Sequence, residues 1–225
     1  MFNPKISALA VAVLIAGCGG GGELAPPVPV DSVELGTVPG GVIQSGQETT
    51  ETAPSPIKGC SVVLYGDSIL AGANPLGILA ETPAQTIKRL RPKYQIDNRA
   101  KSGQSAMQAA RQFPNENRTA RVVVLEHGTN DMILGLPVQQ SLASMAEYAK
   151  AEGRTVVVTG ISSQAHARLG EYQAAVKAIA AGYVYADWPA VPGKTVDGTH
   201  PDQQMSIALS ERLVAALDVA APDCK

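Results

Sequence analysis

Five short apolar runs recur between residues 61 and 186, and their spacing constrains the fold more than any other feature of the chain. They cover Ser61 to Tyr65, Tyr94 to Asn98, Val122 to Glu126, Thr155 to Thr159 and Tyr183 to Ala186. Several are rich in valine and almost continuous in hydrophobicity, as strands covered on both faces are. Helix-like segments lie between them, near Pro83–Leu90, Ser105–Gln112, Pro137–Glu152 and Gly170–Ala181. A last one, Asp202 to Leu217, puts Met205, Leu209, Leu213 and Ala216 on one stripe. This alternation predicts right-handed crossovers and a five-stranded parallel sheet between two helical layers, a three-layer α/β/α sandwich. In such sheets ligands gather outside the carboxyl ends of the strands.

Those strand ends carry the polar residues. The first strand, in VVLYGDSILAG, runs straight into Gly66-Asp67-Ser68. The second runs into Asn98 to Gly103, the third into Gly128-Thr129-Asn130-Asp131, and the fifth is followed by Asp197-Gly198-Thr199-His200. A serine, a histidine and an aspartate can therefore meet on one rim. There histidine can take the hydroxyl proton, a carboxylate can fix the imidazole tautomer, and separate donors can hold an oxyanion. Gly103 lets its amide approach a substrate closely, and Asn130 is a neutral donor that does not compete for the proton. Taken singly, Asp67, Asn130 and Asp197 read as loop and helix caps.

Together the four blocks GDSIL, the Gly103 loop, GTND and DGTH resemble the GDSL, or SGNH, hydrolase family, in order and over nearly all of residues 61 to 217. Ile69 stands where the name motif has leucine, a conservative departure. The resemblance implies a flavodoxin-like sheet and a serine esterase that works through an acyl-enzyme without a cofactor. Position by position it implies Ser68 as nucleophile, His200 as base and Asp197 as its orienting partner. The oxyanion hole would be formed by the Ser68 and Gly103 amides with the Asn130 side chain. A different class, a non-catalytic surface lipoprotein that binds carbohydrate or a partner, has no need to keep Ser68, Asn130, Asp197 and His200 together.

The remaining signals bound the setting. A net charge of −2, with 17% charged residues, argues against a nucleic-acid partner. The apolar run Ile6 to Ile15 is short for a bilayer span but suits a secretory signal. Its Ile-Ala-Gly-Cys ending resembles a bacterial lipobox, which implies lipidation of Cys18, a signal of residues 1–17 and anchoring in the cell envelope. Gly19 after the cysteine leans toward the outer membrane. An ordinary signal peptide would instead discard Cys18. Residues 18–58, rich in Gly, Pro, Ser and Thr, read as a flexible tether, and residues 59–225 as one domain, expected to be a monomer. Export makes Cys60 and Cys224 natural disulfide partners, two free thiols being the alternative.

Other candidates are weaker. His127 reads as a pocket-wall residue and His166 as a surface loop residue. Pro192-Gly193-Lys194-Thr195 lacks the first glycine of a phosphate loop, and neither the G-x-S-x-G elbow nor a metal-ligand spacing is present. With short loops and only 4% aromatic residues, a long enclosed acyl tunnel is not expected. The reading prefers a small acyl group, such as acetyl on a glycan, over a lysophospholipid or a thioester.

Overall fold

The computed structural model describes residue 57, residues 59–162 and residues 165–225. The predicted signal, Cys18 and the tether lie outside the described residues.

Val62 and Leu64 point to one face of the first strand, Val63 and Tyr65 to the other, and all four are buried. Helices must therefore cover both faces, and the chain supplies them in turn. Its elements are β1 (Ser61–Gly66), α1 (Ser68–Ala71), β2 (Ala73–Asn74), β3 (Gly77–Ile78), α2 (Pro83–Leu90), β4 (Gln95–Asn98) and α3 (Ala106–Gln112). After these come β5 (Val122–Glu126), α4 (Thr129–Leu134), α5 (Gln139–Ala151), β6 (Thr155–Thr159), α6 (Leu169–Ala180), β7 (Val184–Ala186) and α7 (Gln203–Ala220). Helices α2 and α7 pack on the Val62/Leu64 face, where Ile87, Leu209, Leu213 and Leu217 meet Val122, Val124 and Val157. The opposite face holds Phe113, Leu142, Met145 and Val176 from the segments between β4 and β7.

The main sheet has the order β4-β1-β5-β6-β7, and every pairing in it is parallel. The chain moves outward from β1 to β4 and then returns to the other side of β1 to form β5. That reversal opens a crevice at the carboxyl ends of β1 and β5, where sheets of this order bind ligands. Ser68 follows β1 and Asn130 follows β5, so the two polar turns flank the crevice.

All five expected strands and five expected helices are present. Several boundaries differ by one to three residues, and two of these shifts have a clear physical reason. Tyr94 precedes β4 because its amide closes a turn on the Arg91 carbonyl at 3.1 Å, while its buried hydroxyl donates to the Leu217 carbonyl at 3.2 Å. Helix α7 runs on to Ala220, with the Asp202 carboxylate accepting from the Met205 amide at its start. The short α1 and α4 and the two-residue β2–β3 hairpin were not anticipated, being too brief to show any period.

Cys60 and Cys224 form a disulfide, with a Cα–Cα distance of 5.4 Å across a sequence separation of 164. It ties the start of β1 to the turn after α7. In the chain-entropy account a loop of this length contributes up to about 5 kcal/mol.

Candidate active site

Ser68 is the first residue of α1, directly after the Gly66-Asp67 turn. The turn is held from beneath by Glu126, the last residue of β5, whose Oε2 accepts the Asp67 amide at 2.9 Å. A Cβ on Gly66 would lie 2.4 Å from that oxygen, so only glycine leaves room for the carboxyl. Asp67 caps α1, its Oδ1 accepting from the Ile69 amide at 2.9 Å. Neither the Ser68 nor the Gly103 amide finds an acceptor among the described residues. Two free amides at the crevice can serve a ligand.

A hydrogen-bonded chain starts at the hydroxyl. Ser68 Oγ lies 2.9 Å from His200 Nε2, and His200 Nδ1 lies 2.7 Å from Asp197 Oδ2. Asp197 Oδ1 also accepts the His200 amide at 2.8 Å and the Thr199 amide at 3.0 Å. One carboxylate thus fixes both the loop and the ring. With Asp197 accepting from Nδ1–H, Nε2 is left as the acceptor for the serine proton. Partial burial raises the Asp197 carboxyl, but the His200 amide and imidazole outweigh it and hold the group below its ordinary range. It is ionised wherever the imidazole needs it.

Asn130 is held on the other side of the serine. Its Nδ2 donates to Asp67 Oδ2 at 3.1 Å and to the Gln104 carbonyl at 3.2 Å. Both bonds are long, so an oxyanion can compete for this amide through a shorter, charge-assisted bond. Gly103 sits on the same rim with φ +78°, a left-handed conformation natural to glycine, and a Cβ there would meet open space. Substrate room, rather than packing, surrounds it.

Beneath these groups lies a buried carboxyl pair. Burial pushes Asp67 up to about 6, although the Ile69 amide and the attraction of His200 pull it down. Glu126 is pushed well above its ordinary value, first by burial and then by the charge of Asp67. Burial thus holds both carboxyls above their ordinary values, while Asp67 Oδ2 accepts from Asn130 and positions its amide.

Ser68, Gly103, Asn130 and His200 all open onto one cleft of about 350 Å³, walled by Ala73, Asn74, Pro75 and Ser102. Asp197 stands behind His200, outside the lining. His127 does not line this cleft: it is buried, burial lowers its imidazole to about 3, and Nε2 lies 3.5 Å from Gln104 Oε1. It directly follows β5 and is enclosed by protein. His166 is partly exposed, its Nδ1 accepting from the Arg168 amide. Sequence reasoning missed Glu126. Its only signal was an acid ending the otherwise apolar VVVLE run.

The family described as GDSL-like lipase/acylhydrolase matches residues 64–206. Among solved structures, a protein named TesA is 29% identical and aligns over 71% of this chain and 99% of its own, with a TM-score of 0.61. Esterase EstA from Pseudoalteromonas sp., solved as inhibited by monoethylphosphonate, is 16% identical over 71% of this chain and 97% of its own, with a TM-score of 0.60. A variant of an acetyl xylan esterase from Geobacillus stearothermophilus is 14% identical over 70% and 94%, with a TM-score of 0.57. The last two share the fold. No curated protein matches the sequence. A matched span that includes the serine turn, the Asn130 turn and the histidine loop settles the class: the chain belongs to the GDSL-like lipase/acylhydrolase family and is a serine hydrolase of carboxylic esters.

Proposed function

We propose that Ser68, His200 and Asp197 act as a catalytic triad that hydrolyses an acyl ester through an acyl-enzyme. The observation that carries this reading is the unbroken Ser68–His200–Asp197 hydrogen-bond chain opening on the cleft. Ser68 Oγ attacks the ester carbonyl carbon as its proton passes to His200 Nε2. Asp197 stabilises the imidazolium through Nδ1–H. The carbonyl oxygen, now negative, receives hydrogen bonds from the Ser68 and Gly103 amides and from Asn130. The alkoxide leaves with the proton from His200. A water then repeats the sequence on the acyl-enzyme and releases the acid.

The cleft is open and small, with only short side chains along its wall, which supports a short acyl group such as acetyl. Nitrophenyl esters of increasing chain length test this: kcat/KM highest for acetate supports it, and a maximum at long chains overturns the acyl preference. We further propose that Cys18 carries a lipid anchor and holds the enzyme at the bacterial cell envelope. Among the described residues no helix is long and apolar enough to cross a membrane.

A further inference from the structure

Seven large apolar side chains stand out into solvent among the described residues: Leu76, Ile78, Ile133, Leu134, Tyr148, Val196 and Val219. Single exposed apolar residues are ordinary and call for no explanation. Their distribution does. Five of the seven lie within a turn of a residue that lines the catalytic cleft.

Leu76 directly follows Pro75, a wall residue, at the tip of the β2–β3 hairpin, and it is 85% exposed. Ile78, 71% exposed, lies two residues further along the same hairpin. The hairpin is fixed rather than loose. The Leu79 amide donates to the Gly72 carbonyl at 2.8 Å and the Leu76 amide to Asn74 Oδ1 at 2.9 Å. Ile133 and Leu134 stand three and four residues after Asn130 on α4, the spacing that puts side chains on one side of a helix. Val196 neighbours Asp197, and its amide donates to the His200 carbonyl at 2.8 Å. Three separate segments, each bearing a residue that lines the cleft, thus carry an aliphatic tip nearby.

We infer that these five residues form a docking collar by which the catalytic face seats on a lipid surface, and that the enzyme takes its ester at headgroup depth. The inference rests on the esterase reading above. The occupant follows from position. A folded partner or a second copy covering the collar would close the cleft over Ser68, whereas a lipid layer can cover the aliphatic tips and still deliver an ester to the mouth. Charge agrees: Lys101 beside Ser102, and Lys194 in the Val196 loop, are exposed and form no ion pair among the described residues, although the whole chain carries −2. Basic side chains beside aliphatic tips match an anionic headgroup layer over acyl chains. The chain outside the described residues points the same way. Cys18, whose surroundings resemble a lipobox, precedes the domain by about forty residues. A small acyl cleft is consistent with this placement, because the collar, not the cleft, meets the aliphatic chains.

The test uses the full chain with Cys18→Ser, so that no lipid anchor contributes, and vesicles of equal phosphatidylethanolamine and phosphatidylglycerol. Co-sedimentation of this protein is expected. Combining Leu76→Ser, Ile78→Ser, Ile133→Ser and Leu134→Ser should cut the vesicle-bound fraction at least about tenfold while nitrophenyl acetate hydrolysis in solution stays unchanged. Equal binding by the combined variant, or no binding by the Cys18→Ser chain, overturns the collar. So does binding abolished by Lys101→Gln with Lys194→Gln but untouched by the four serines, which marks simple charge attraction. A dimer that the four serines dissociate, without vesicle binding, overturns it in favour of a second copy. Vesicle binding that depends on the four residues, in a protein without activity on nitrophenyl acetate, sustains the collar and fails the esterase reading alone.

Discussion

Two carboxylate arms converge on Ser68, and they are built from opposite materials. The His200–Asp197 arm is a loop: the imidazole is 23% exposed and its carboxylate 35%, and their mutual bond is local, three residues apart. The Asn130–Asp67–Glu126 arm is rooted in the sheet, with Asp67 and Glu126 buried and joined across 59 residues of chain. In the proposed mechanism, proton transfer needs a base whose charged form is solvated and can change state, so partial exposure serves it. Oxyanion stabilisation instead needs donors that do not reorganise during the reaction, so burial and rigidity serve that side. On this proposal the site divides its demands between loop and core.

The largest effects should fall on the exposed arm and leave the fold alone. Ser68→Ala, His200→Ala and Asp197→Asn are each expected to lower kcat strongly, the first two by at least about a thousandfold. Their melting temperatures should match the parent's. Unfolded variants would erase the distinction between the arms, and near-normal rates would remove the triad.

On the buried side, Asn130→Ala is expected to reduce kcat by about 10²–10³-fold with a smaller change in KM, the mark of a group that acts mainly in the transition state. An effect on KM alone would make Asn130 a binding residue.

Glu126→Ala sharpens the contrast further. It strands the Asp67 amide without an acceptor and opens a void under Gly66, so denaturant titration should show a loss of about 2–5 kcal/mol. Unchanged stability would show that the buried arm is not structural.

The smallest effect is a slope. Asp67, pushed up to about 6, keeps in the folded domain a proton that an unfolded aspartate releases near pH 4. Its contribution to stability is therefore full below about pH 4 and is lost as pH rises to about 6. Glu126, also raised, carries the loss to higher pH. Asp67→Asn should flatten the fall in urea stability between about pH 4 and 6, and an unchanged slope would place the titration elsewhere.

The exposed arm was legible because its parts are contiguous: Asp197-Gly198-Thr199-His200 shows both partners within one turn, and each strand end announces its loop. The sheet was legible too, since burial on both faces leaves long valine runs. The link that roots Asp67 in Glu126 was not. Glu126 read as a strand terminus and Asp67 as a cap, because their relation exists only through the register that puts Gly66 opposite Glu126. Nothing local encodes that register. His127 was misplaced for the same reason, since a residue at the end of a central strand can face cleft or core.

The central claim is that Ser68, and no other hydroxyl, is the nucleophile. Incubation with a fluorophosphonate followed by intact mass and peptide mapping tests it directly. A single adduct on Ser68 is expected, with complete loss of nitrophenyl acetate hydrolysis in step with labelling and far slower labelling in His200→Ala. An adduct on a different residue, or a fully active enzyme that takes up no label, would contradict it.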